Sequence, residues 1–177
     1  MYNGYEGGYI AIGKGDDNYC YENIERALGS NNFSLNPVHA KIALDNLRLI
    51  DDFVEHNKKI YEAYLRAFES KGLKKFGKII EFPMERSGFK NIVMKLNLES
   101  KGADELVLHL NKKGIGARLH YEPALHKKNA GYETVCLSPL TVTEALEKRL
   151  INLPCGWRFK ENKVGYICGL IEEFLNA

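Results

Sequence analysis

Gly29 to Phe68, GSNNFSLNPVHAKIALDNLRLIDDFVEHNKKIYEAYLRAF, couples a polar turn to the longest periodic apolar face in the chain. Asn36 is suited to N-cap a helix, and Pro37 fits the first helical position, where its missing N–H donor has no partner to lose. From there Ala43, Leu47, Ile50, Phe53, Val54, Ile60, Tyr61, Tyr64, Leu65 and Phe68 recur mostly at steps of three and four, one apolar stripe on a helical surface. No Gly or Pro interrupts the run before Gly72. The expectation is a single helix of roughly 45–50 Å at about 1.5 Å per residue, long enough to tie two bodies together.

The 177 residues suit one domain or a small domain with an attachment. With 45% hydrophobic and 27% charged residues a globular core is expected, and a net charge of +2 is too even for a nucleic-acid binder or a membrane-surface protein. No run approaches the ~20 apolar residues of a membrane span, and the opening MYNGYEGGY lacks the basic and apolar regions of a signal peptide. A cytoplasmic protein is expected. Cys20, Cys136, Cys155 and Cys168 show no metal-like spacing and read as free packing thiols.

Outside the quoted stretch, Gly7-Gly8 leads into a short apolar strand to Ile12, Gly15-Asp16-Asp17-Asn18 is a solvated turn, and Tyr19 to Leu28 forms a short helix stopped by Gly29. The basic segment Lys71 to Lys78 reads as a linker. Phe89 to Leu98 reads as a half-buried strand, with Ile92, Met94, Leu96 and Leu98 alternating with Asn91, Lys95 and Asn97, and Val93 as a misfit. Ser100 is expected to cap a helix over Ala103 to Lys113, stopped at Gly114, with Leu106, Val107 and Leu110 inward. Ile115 to Tyr121 alternates as a strand, placing Ile115, Ala117, Leu119 and Tyr121 toward the core and Arg118 and His120 on the other face. Thr141-Val142-Thr143-Glu144 reads as a capping box opening a helix with Ala145, Leu146 and Leu150, and Lys160 to Asn176 as a final amphipathic helix, with Glu172 and Glu173 solvated.

Several motifs resemble the DegT/DnrJ/EryC1/StrS family of sugar aminotransferases, which use pyridoxal phosphate (PLP). Gly29 to Ala40, with the following amphipathic helix, resembles the family's Gly-x-Asn-Tyr-Arg-Met-Ser run; Phe33 is a mild change, and Ser34 in place of the arginine a real departure. The resemblance implies that Asn32 donates its amide to the cofactor phosphate of a neighbouring subunit, although an Asn before a helix is also an ordinary turn former. Gly114 to His126 resembles the family's Gly-Ile-x-x-x-x-His/Tyr-Tyr-x-Pro-x-His signature, where a small domain closes over a nucleotide-sugar. Arg118, His120, Tyr121 and His126 thereby become candidate substrate contacts, since imidazoles, a phenol and a guanidinium offer donors to a pyrophosphate or a sugar hydroxyl. No metal-ligand spacing is present.

Tyr5-Glu6-Gly7-Gly8 resembles the Glu-Gly-Gly that follows the family's Schiff-base lysine in Ser-x-His-x-x-Lys, which implies that the lysine falls immediately before Met1. Lys14, across the strand and roughly 20 Å away at about 3.3 Å per residue, is a poor substitute. No catalytic residue is therefore assigned, and PLP is expected only together with an N-terminal piece. The implied fold is α/β: the C-terminal part of a fold-type I PLP enzyme, with residues 1–36 from the large domain, 37–72 a connecting helix and 73–177 a small α+β domain with an antiparallel sheet. The expected partners are that N-terminal piece or a homodimer mate, and a nucleotide-sugar. The alternative is a non-catalytic remnant or interaction domain of the same fold.

Overall fold

The computed structural model describes residues 37–83, 87–97, 102–128 and 138–177. The readings of Asn32, Asn36, Glu6-Gly7-Gly8, Lys14, Ser100, Cys20 and Cys136 lie outside them. The chain divides into two compact units, Met1–Asp51 and Asp52–Ala177.

In the first unit α1 spans Pro37–Arg48 and buries none of its residues. The single helix expected from Pro37 is parted at Leu49, whose N–H reaches back three residues to the Asn46 carbonyl at 3.1 Å, and α2 follows as Ile50–Ser70. The two differ in what holds them. Helix stability in proteins comes mostly from a packed apolar face, and α2 buries Ile60, Tyr61, Tyr64 and Phe68 at helical steps.

The second unit is an antiparallel four-stranded sheet packed with helices. Strands β1 (Gly77–Ile79), β2 (Ile92–Leu96), β3 (Arg118–Leu119) and β4 (Leu150–Leu153) lie in the order β1-β2-β4-β3. Ile92 pairs with Leu153 and Met94 with Ile151, while Arg118 faces Asn152 on β4. Helices α3 (Ala103–Lys112), α4 (Thr141–Glu147) and α5 (Val164–Asn176) complete the unit. One core joins Tyr61, Tyr64 and Phe68 of α2 to Ile92, Met94 and Ile151 of the sheet, Leu106 and Leu110 of α3, and Ile167 and Ile171 of α5.

Several expectations change here. The segment read as a linker holds a 3-10 turn at Leu73–Lys75, with Leu73 buried, and then β1. Strand β2 is buried on both faces, Val93 included, because it lies inside the sheet between β1 and β4. The strand expected from Ile115 to Tyr121 is paired only at Arg118 and Leu119. Leu140, not Thr141, occupies the N-cap of α4, and no side chain among the described residues caps that helix. Leu150 leaves it for β4, a strand too short for its alternation to stand out in the sequence. Glu172 is half-buried and pairs with Lys71 at 3.1 Å. Gly102 precedes α3 with no side-chain cap among the described residues, and α3 and α5 otherwise follow their apolar periodicity.

Candidate functional site

Two residues of β3 suffice to aim the segment that follows. The His120 N–H donates to the Leu150 carbonyl at 2.9 Å, the last bond to β4, and the chain then turns through Tyr121, Glu122 and Pro123. Alternation ends with the pairing. Tyr121, expected inward, is instead 63% exposed, and its ring stacks on that of His120 with centroids 4.2 Å apart. His120 is half-buried, and its Nδ1 is buried with no hydrogen-bond partner among the described residues. Burial pushes its pKa below the usual imidazole value, so the ring is neutral at pH 7. A neutral imidazole donates from one ring nitrogen and accepts at the other, and Nδ1, being enclosed, is not the atom open to a cleft ligand.

These two residues line a cleft of about 530 Å³ between the loop and α4, shared with Leu125 and Lys128 on the loop side and Thr143, Leu146 and Glu147 on the helix side. Its walls are chiefly apolar, with few polar groups, which is the usual character of a small-molecule site. Glu147 is only 6% exposed. One of its carboxylate oxygens accepts from the Ala124 amide and the other from Lys127 Nζ, both at 2.6 Å. The Lys127 hydrogen bond, then that of the Ala124 amide, holds the Glu147 carboxyl below the usual carboxylate range. The same contact raises Lys127, which stays an ammonium. Three residues earlier on the helix, Glu144 accepts from His126 Nε2 at 3.1 Å.

Of the residues singled out in the sequence, the structure brings His120 and Tyr121 to the cleft, while His126 bonds Glu144 and is not among the lining residues. Arg118 is exposed on β3 opposite Asn152 and does not line it. Sequence reading missed Glu147, Lys127, Lys128 and Thr143; the Lys127-Lys128 pair directly after His126 was the available signal. A PLP imine needs a neutral lysine amine, and Lys127, held as an ammonium by Glu147, does not fit that role. Among the described residues no group of His, Cys, Asp and Glu could hold a metal ion, and no helix is long and apolar enough to cross a membrane.

A model of the DegT/DnrJ/EryC1/StrS aminotransferase family matches residues 9–172. No curated protein sequence matches. Among solved structures the chain is similar to DesI in the presence of its TDP-sugar product, at 17% identity and a TM-score of 0.71, over 82% of this chain and 37% of that one. It is also similar to a DegT/DnrJ/EryC1/StrS aminotransferase from Brucella abortus, at 24% identity and a TM-score of 0.66, over 85% and 41%. A third is GDP-4-keto-6-deoxymannose-3-dehydratase with a trapped PLP-glutamate geminal diamine, at 16% identity and a TM-score of 0.69, over 87% and 40%. At these identities the likeness establishes a shared fold, and the chain spans about two fifths of the length of each structure.

Proposed function

Because this chain belongs to the DegT/DnrJ/EryC1/StrS aminotransferase family, we propose that it is the C-terminal part of a PLP-dependent nucleotide-sugar aminotransferase. In this reading residues 1–36 belong to the large domain, residues 37–72 connect, and residues 73–177 form the small domain that closes over the substrate. The observation that carries it is the cleft itself, where the neutral His120 ring stacks on an exposed Tyr121. A ring of that kind suits a sugar hydroxyl, and the Tyr121 phenol adds a second donor.

Arg118 and His126 are assigned to the periphery of the same ligand, toward its phosphates. Asn32 is assigned to the cofactor phosphate, with a second subunit completing the site. The lysine that anchors PLP is assigned to an N-terminal piece working with this chain in the cytoplasm. When bound, the cofactor supplies the electron sink through which an amino group leaves its donor. This chain's part is to bind and orient the sugar and keep water from it.

The test mixes the chain with a piece ending in Ser-x-His-x-x-Lys, PLP, glutamate and a TDP-linked keto-sugar. An imine absorption and transfer of the amino group are expected, with His120→Ala raising the sugar KM at least tenfold and Asn32→Ala weakening cofactor affinity. Absence of both absorption and transfer would sink the assignment and favour a non-catalytic interaction domain of the same fold.

A further inference from the structure

Resting on the cleft as a ligand site, we propose that Glu147 is its positioning residue: one buried carboxylate, bonded to the Ala124 amide and the Lys127 ammonium, sets the loop that carries His120 and Tyr121. Among the described residues, what else holds the loop is the buried Ala124, a 3-10 turn over Leu125–Lys127 and the bond from His126 to Glu144 at 3.1 Å. After the His120 N–H the strand pairing ends, Leu125 is 81% exposed, and the apolar contacts that fix a core residue are lacking over 121–123. Glu147 reaches this loop from 20 or more residues away and gathers two of its donors at 2.6 Å each.

A carboxylate is a costly choice for a buried position. Desolvating it is unfavourable unless every oxygen is paired, and an apolar side chain of similar size stabilises a core as well or better. What the carboxylate adds is direction, because its two oxygens accept only where the donors lie. Helix α4 is itself exposed from Thr141 to Ala145, and Glu147 at its last turn is the one residue of that helix that is buried. Lys127 and His126 face the carboxylate from the loop, Glu144 stands one turn away on its own helix, and His120 and Lys128 line the same cleft. One of the three donors of the Lys127 ammonium is thereby taken by Glu147. Holding the loop before the ligand arrives removes an ordering cost from binding.

The test uses the 177-residue chain labelled with ¹⁵N, as wild type, Glu147→Gln and Lys127→Met. In wild type the Ala124 amide proton should shift as pH falls below the ordinary glutamate value of 4.5, following its carboxylate acceptor. In Glu147→Gln that titration should vanish, and amide exchange across 120–128 should quicken at least tenfold while β2 and β4 amides keep their rates. Unchanged exchange, or equal quickening in the loop and the sheet, would overturn the positioning role. Should Glu147→Gln fail to fold, Lys127→Met decides: its Ala124 titration should move up toward 4.5, and no movement would overturn the pairing. A binding arm uses TDP-glucose and GDP-mannose as probes, with at least fivefold weaker binding expected in Glu147→Gln and equal affinity counting against the proposal. If wild type binds neither probe, the cleft reading fails, and exchange and titration alone decide what Glu147 does.

Discussion

Arg149 and Leu96 exchange hydrogen bonds across the end of the β2–β4 ladder: the Leu96 N–H donates to the Arg149 carbonyl at 2.9 Å, and Arg149 Nε and Nη2 donate to the Leu96 carbonyl at 2.9 and 2.7 Å. The guanidinium thus satisfies a carbonyl that the strand has no further partner for. A charged fork donating twice to one oxygen is stronger than a single neutral bond. Arg149→Ala should cost about 1–3 kcal/mol, read as a lower urea midpoint with an unchanged slope. Arg149→Lys should recover only part of it, because one ammonium cannot reproduce the planar fork.

Gly77 opens β1 where the backbone of β2 comes closest. A Cβ there meets the Lys95 carbonyl oxygen at 2.5 Å, and that atom is backbone and cannot swing aside. Gly77→Ala should therefore destabilise the unit by about 1–3 kcal/mol through a forced strand shift. Thermal melting checks this, with Gly116→Ala, where a Cβ has open space, as the milder comparison.

Cys168 is fully buried in the core on α5, and burial pushes its thiol up to about 12. Since the thiolate is the reactive form, native protein treated with iodoacetamide at pH 8 should leave the Cys168 peptide unmodified by mass spectrometry. Adding denaturant should expose it. Labelling of Cys168 without denaturant would show that α5 opens on its own.

His120 provides a pH dependence whose sign follows from burial. Its folded pKa lies below the ordinary 6.5, so the unfolded chain binds the proton first and stability falls as pH drops through 6.5 toward the folded value. His120→Asn should flatten that part of the stability curve between pH 7 and 5. An NMR titration of the His120 ring should show a midpoint below 6.5. A midpoint at or above 6.5 would contradict the buried neutral ring.

Much of the second unit was legible where an apolar face was long. The stripe through Ile60, Tyr61, Tyr64 and Phe68, and that through Val164, Ile167, Cys168 and Ile171, each repeat often enough to mark a helix and its inward side. The strands β1 and β4 were not read, because three and four residues are too few for a period of two to emerge. Tyr121 was misplaced for a related reason: alternation holds only while a strand is paired, and β3 stops at Leu119.

By itself the sequence determined the inward faces of α2, α3 and α5 and the place of β2. Those are local properties, set by periodicity and turn chemistry within a dozen residues. Only the tertiary structure decided that Glu147 bonds the loop, that Arg118 does not line the cleft that His120 lines, and that Lys127 is bound to a carboxylate. A glutamate on a short helix looks solvated until the fold brings an amide and an ammonium to it, and electrostatic pairing of that kind depends on distance in space.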